Sequence, residues 1–210
     1  MNRTIKSVLW FLVIALVGYN SVYFRKLDEV KKSSSTVKFD ATAYAATFMR
    51  EKLPPILDKS VEINDLMQKL RTNPEAAFNQ YAHALGISNI RYFLVRGQGV
   101  VQSIGENDIE IACAANGKTT PVKIATQYVF GNAVRDASGL IDIKDFENTM
   151  DLNNISEALN DIVRKDVLPD FVKNAAPGKV VNFVGAIELN QKHLKLTETV
   201  EAIPVKITFQ

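Results

Sequence analysis

The 210 residues include one cysteine, two histidines and one tryptophan. A lone thiol, Cys113, excludes an intramolecular disulfide framework and any multi-cysteine metal site. His83 and His193 lie far apart in sequence and leave little room for catalysis built on imidazole. Trp10 falls inside the N-terminal apolar run, so the rest of the chain lacks the strongest sugar-stacking ring. Ten glycines and seven prolines are too few for a fibrous or disordered chain. Gly97-x-Gly99 is too short to be a phosphate-cradling loop, and no longer one exists. A basic stripe is also missing. Residues 1–26 hold four basic and no acidic side chains, which leaves 21 basic and 23 acidic beyond them. That mildly acidic remainder opposes nucleic-acid binding, which needs a surface that neutralises phosphate.

What is present is an ordinary globular composition, 47% hydrophobic and 23% charged. Ser7 to Phe24 is an uncharged run, SVLWFLVIALVGYNSVYF, at the lower limit of length for a spanning helix. Trp10, Tyr19 and Tyr23 near its ends suit the headgroup zone. A cleaved signal peptide is the competing reading, with Arg3 and Lys6 as its basic start. The window Ala15–Ser21 offers small residues at alternate positions poorly, so the residues favour an uncleaved anchor. No cysteine follows the run, which speaks against a lipid-modified N-terminus. Basic residues flank it on both sides, so charge alone does not orient it.

Residues 27–38, charged and Ser-rich, read as a linker. Asp40 caps an expected helix to about Leu53, with Tyr44 and Phe48 on its buried face and Pro54-Pro55 at its end. Ile63, Leu66, Met67 and Leu70 predict a helix over 62–71. Asn73-Pro74-Glu75 opens a third, over 74–85, which Gly86 ends. Strands follow at 90–101, 108–114 and 120–130, with Asn116-Gly117 as a hairpin turn. Asn154-x-x-Glu157 resembles a capping box opening a helix to about Val167. Strands at 179–189 and 194–208 complete the chain. Five strands with a helix between the third and fourth match an OB-type barrel. Gly97, Gly99 and Gly185 mark bulges or tight corners in it. The fold class expected is α+β: an N-terminal transmembrane helix, a small helical segment, then an OB-like five-stranded β-barrel with an inserted helix.

The run EKLPPILDKSVEINDLMQKLRTNPEAAFNQYAHALGISNIRYFLVRGQGVV resembles the first half of a bacterial family of predicted periplasmic lipoproteins, the domain of unknown function 2291. GNAVRDASGLIDIKDFENTMDLNNISEALNDIV, GKVVNFVGAIEL and IPVKITF are similar to its second half. The resemblance covers about residues 39–208. It implies an extracytoplasmic domain held at the inner membrane and a link to sugar-type ABC transport systems. It brings no established activity. The organisation expected is therefore 1–26 as anchor or signal segment, 27–38 as linker and 39–210 as one periplasmic α+β domain. Within that domain the helices occupy about 40–85 and the barrel about 87–208.

The most suggestive constellation is Gly131-Asn132-Ala133-Val134-Arg135-Asp136, followed by Asp142, Asp145, Glu147 and Asp151. Arg135 suits a clamp for a carboxylate or a pair of sugar hydroxyls, with Asp136 and Asp145 accepting hydrogen bonds. The competing reading has Arg135 pairing with Asp136 or Asp145 to pin the long loop to the barrel. A calcium site fits poorly, because the spacing is not that of an EF-hand. Asp142, Asp145 and Glu147 are candidates for paired-carboxylate glycoside hydrolysis. Tyr92, Phe93, Tyr128 and Phe146 are available as stacking rings but read first as core aromatics. Cys113, in an alternating strand, reads as a buried small hydrophobe. The expectation is a membrane-anchored periplasmic accessory protein without catalytic residues, metal or cofactor. It would act with sugar ABC transporter components, and Arg135, Asp136 and Asp145 would be its binding residues. An acid-pair hydrolase acting on a carbohydrate or cell-wall polymer is the alternative.

Overall fold

The computed structural model describes residues 3–21, 39–115, 117–196 and 199–210. The chain divides into two compact units, Met1–Phe39 and Asp40–Gln210. The expected linker, 27–38, lies outside the described residues.

In the first unit, Arg3–Ser21 forms one helix, α1, whose Trp10, Phe11, Ile14 and Leu16 are exposed. Among the described residues no helix is long and apolar enough to cross a membrane. The single-pass span expected over 7–24 thus gains no support, and its last residues, 22–24, lie outside the described residues. The wholly apolar stretch, Val8–Val17, reaches only about 15 Å along a helix, half the hydrocarbon thickness of a bilayer. Tyr19, Asn20 and Ser21 then make the end of the helix polar.

The second unit begins with α2 (Ala41–Thr47), whose amide at Ala43 donates to the Asp40 carboxylate at 2.9 Å. The expected stop at Pro54-Pro55 is instead a change of pitch. Phe48–Lys52 widens into a π turn, and Pro54–Leu57 starts a short helix, α3. A second π turn, Val163–Val167, precedes Pro169 in the same way. Proline donates no amide hydrogen bond and its ring crowds the carbonyl one turn back, which a wider turn relieves. β1 (Val61–Glu62) leads into α4 (Ile63–Thr72), capped by Glu62. α5 (Pro74–Tyr81) is capped by Asn73. It stops short of the expected Leu85 because β2 (Ala82–His83) is drawn into the sheet beside Phe93 and Tyr92.

β3 (Ile90–Ile104), β4 (Asp108–Ala115), β5 (Lys118–Ala125), β6 (Val180–Asn190) and β7 (Val200–Phe209) form the sheet. The pairing order runs β3-β4-β5-β7-β6 and returns from β6 to β3, so the five strands close into a barrel. β5 and β7 are parallel, and the other pairs around the ring are antiparallel. Within the ring β3 serves two partners, β6 along Ile90–Val100 and β4 along Val100–Ile104, and the short β1 and β2 pair with it as well. Closure leaves one face of each strand inside: Val95, Val101, Ile109, Ile111, Val122, Ile124 and Val181 are all buried. Gly185 sits at a bulge against β7, as expected. Gly97 and Gly99 do not, because their pairing with β6 is unbroken. Close approach accounts for Gly97, since a Cβ there would lie 2.8 Å from the Phe183 ring.

Between β5 and β6 the chain forms α6 (Ala133–Ala137), a single turn at Ile143–Asp145, α7 (Thr149–Ile162) and α8 (Leu168–Asn174). α7 starts five residues before the expected capping box. Asn148 is its cap, accepting from the Asp151 amide and donating to the Asp151 carboxylate, each at 2.9 Å. Asn154–Glu157 lies within the helix. α2 packs on α7, α4 on β3, β4 and β5, and α6 on β3 and β6.

Cys113 is fully buried in β4. Burial, with Glu62 nearby, pushes its thiol up to about 12 from an ordinary 9.0. The thiol is therefore neutral in the folded chain at pH values where the unfolded chain carries a thiolate. This contribution to stability is complete below pH 9 and is lost as pH rises toward 12, at up to about 1.4 kcal/mol per pH unit. Denaturant titrations across that range should show the decline, and Cys113→Ala should make it shallower, most clearly between pH 9 and 10. A thiol reagent should label the native protein only as fast as it unfolds.

Candidate functional site

The GNAVRD segment is buried. Arg135 is 5% and Asp136 6% exposed, and the Arg135 Nε donates to Asp136 Oδ1 at 2.6 Å. A second guanidinium nitrogen donates to the Leu152 carbonyl in α7 at 3.1 Å. Ser138 closes the turn by donating to the Arg135 carbonyl. Tyr92 of β3 lies beside this pair. Burial, then Glu188 and Asp136, push its phenol up to about 12 against the opposing pull of Arg135 and Asn132. Arg135 thus ties α6 to α7 over the barrel wall, and neither charged group faces solvent where a ligand could reach it.

Asp145 does not join them. It is exposed in the single turn Ile143–Asp145, and no hydrogen bond or ion pair links it to Arg135 among the described residues. Asp142 caps that same turn through the Lys144 amide. Glu147 is exposed as well. The segment assembles no carboxylate pair around a cleft, so the acid-pair hydrolase gains no support from its three candidates. The described residues also include no group of three or more His, Cys, Asp or Glu placed to hold a metal ion.

The geometry assembles a different site next to this segment. A groove of about 480 Å³ is lined by Tyr128, Phe130, Ala133, Ala186, Glu188, Glu201 and Ile203. That volume lies in the range of small-molecule sites. Tyr128 and Phe130 are 59% and 64% exposed, with the buried Val129 between them. Their rings meet edge to face at 6.3 Å. Tyr128 was expected in a strand and in the core. The strand ends at Ala125, and the alternation of side chains continues beyond it with the rings turned outward.

Helix α7 and the π turn after it hold the rim in place. Ser156, Asn160 and Arg164 stand four residues apart and so lie along one face. Ser156 donates to the Asn132 side-chain oxygen at 3.1 Å, and Asn160 donates to the Gly131 carbonyl at 2.9 Å. Arg164 donates to the Val129 carbonyl. The guanidinium is itself fixed by Glu157 at 2.9 Å and Asp161 at 2.5 Å. Three consecutive side chains of one helical stripe therefore clamp the segment 129–132, two at backbone carbonyls and one at the Asn132 side chain. Gly131, at φ 81°, supplies the turn that a side chain would strain.

The floor and mouth of the groove come from the sheet. Ala186 pairs with Ile203, and Ile187 with Ala202. The pairing ends there, and Glu188 and Glu201 are the next residues along the two strands, both lining the groove. Side chains two residues apart share a face, so Ala186 and Ile203 form an apolar floor and the glutamates a charged mouth. Neither glutamate lies in an ion pair among the described residues, and no basic side chain lines the groove. Lys123, beside Glu201 in the parallel ladder, is paired with Asp108 at 3.5 Å. The groove was not anticipated from sequence, because its four defining residues come from three separate segments. The stripe Ser156, Asn160, Arg164 was the readable signal, since it interrupts a helix otherwise patterned for the core.

Comparison with known proteins agrees with the barrel. A family model described as "Predicted periplasmic lipoprotein (DUF2291)" matches residues 12–208. The crystal structure of an OB-fold protein from Thermotoga maritima superposes with a TM-score of 0.72 at 27% sequence identity. The match covers 82% of this chain and 99% of that one. No curated protein matches the sequence.

Two substitutions separate the roles of these residues. Arg135→Ala leaves Asp136 as an uncompensated buried charge and should cost about 3–5 kcal/mol in denaturant unfolding. Asn160→Ala removes the tie to Gly131 and should cost about 1–2 kcal/mol. It should also loosen Tyr128 and Phe130, seen as lower fluorescence anisotropy of Tyr128 in a variant that retains it as the reporter tyrosine.

Proposed function

The chain belongs to the predicted periplasmic lipoprotein family, and from that premise we propose that it is a membrane-associated, non-catalytic binding module serving a solute-uptake system. The observation that carries this reading is the rim: two aromatic rings held in solvent by a dedicated helical stripe above an open groove. Exposed rings of this kind have an unmet apolar surface, and ordering them is useful when something covers them. Catalysis has no comparable support. Cys113 is buried, and the three loop acids are dispersed in solvent. Nucleic acid is disfavoured as the ligand, because two glutamates at the groove mouth repel phosphate.

Membrane association rests on the family and on α1, whose exposed Trp10, Phe11, Ile14 and Leu16 suit the headgroup and outer acyl region. Cys113, the chain's one cysteine, is buried in the barrel and is no acceptor for lipid. The partner proposed is a sugar-type ABC transporter, engaged through protein contacts, with weak ligand binding in the groove.

Purification of the tagged full-length protein from its native membrane in mild detergent, followed by mass spectrometry, tests this reading. Transporter subunits should co-purify, and deletion of 39–208 should abolish their recovery. Recovery of the protein without transporter subunits overturns the accessory role.

A further inference from the structure

The groove at β6 and β7 has a charge problem that its own residues leave unsolved. Glu188 and Glu201 follow the last pair of two neighbouring strands and both line the groove, so two like charges share its mouth. Among the described residues neither carboxylate has an ion-pair partner or a side-chain hydrogen bond, and Lys123 is occupied by Asp108. Above them stand Tyr128 and Phe130, which present ring faces and edges and, at the Tyr128 hydroxyl, one neutral donor. Below lie Ala186, Ile203 and Ala133, which are buried and apolar.

We propose that this groove binds a small organic cation, an ammonium group carried on a compact apolar body. The inference deepens the binding role proposed above and rests on it. The ammonium supplies the positive charge that the glutamate pair lacks, and aromatic rings attract cations through their quadrupoles. The apolar body covers the alanine and isoleucine floor and the rings. A bare metal ion fits less well. Two carboxylates on adjacent strands offer few ligands, and the rest of the lining is carbon apart from the Tyr128 hydroxyl. A neutral sugar leaves the like-charge repulsion uncancelled.

Choline is the probe, and 3,3-dimethylbutan-1-ol is its neutral carbon counterpart of nearly equal shape. Both are titrated into the full-length protein in detergent at constant ionic strength, with binding followed by calorimetry and ligand-observed NMR. Glucose is titrated in parallel. Choline should bind saturably, and at least tenfold more tightly than the neutral alcohol. The double variant Glu188→Gln/Glu201→Gln should weaken choline at least tenfold while raising the melting temperature, because the repulsion is gone. The double variant Tyr128→Ala/Phe130→Ala should weaken both compounds. Equal affinity for choline and the alcohol, unchanged choline binding in the glutamine variant, or no choline binding overturns the proposal. Glucose binding that disappears with Tyr128→Ala/Phe130→Ala, without choline binding, overturns the cation and keeps the groove as a ligand site. If no probe binds, the cation proposal fails, and co-purification with the transporter still decides the accessory role separately.

Discussion

The clamp between α7 and the segment 129–132 is the interaction on which the rest of this surface depends. A chain leaving a barrel strand ordinarily relaxes into a loop with its large apolar side chains tucked inward. Here three backbone or side-chain oxygens in four residues are each taken by a donor from one helical stripe. With the backbone fixed and Val129 committed to the core, Tyr128 and Phe130 have no inward direction left. Their exposure follows from that geometry. Arg164 is central, because Glu157 and Asp161 hold its guanidinium and make it a rigid donor instead of a mobile surface cation.

The buried Arg135–Asp136 pair works at a second level of the same assembly. A hydrogen-bonded ion pair is expensive to bury, and its worth lies in specificity of placement more than in net stability. By joining α6 to the Leu152 carbonyl it sets where α7 lies over the barrel, and so where the stripe meets the rim. Tyr92 of β3, beside this pair, joins the layer to the sheet. The residue pattern that looked most like a ligand clamp thus lies one layer beneath the surface.

The barrel was legible because its signals are local. Alternation in Ile109–Cys113, the Asn73-Pro74 start and the Asp40 cap each follow from a few neighbouring residues. Element ends were less legible, because tertiary pairing overrode them. Ala82 and His83 pair with β3 instead of completing a helix, and Asn148 captures the start of α7 ahead of Asn154. The groove was the least legible feature. Glu188 and Glu201 come to one groove only once the β6–β7 register is known. That register shifts at Gly185, a bulge whose position along the partner strand no local pattern fixes. Tyr128 has the same cause in another form. Its alternation with Val129 looks like a strand, and only the helix bonded beneath shows that the rings face water.

The π turn at Val163–Val167 has a bearing on how this protein can change in length. Each residue of helix turns the chain by about 100°. The extra residue accommodated in that wider turn therefore sets the rotational phase of α8 relative to α7. Phe171, buried and stacked on Phe209 at 5.8 Å, owes its inward direction to this phase. Losing one residue between Arg164 and Leu168 would restore regular pitch and swing Phe171 away from the barrel. The Asn160 tie would stay in place, and the two halves of the helix would then demand different orientations. The spacing from Ser156 to Phe171 is accordingly a geometric constraint of this fold, set by the wider turn between them.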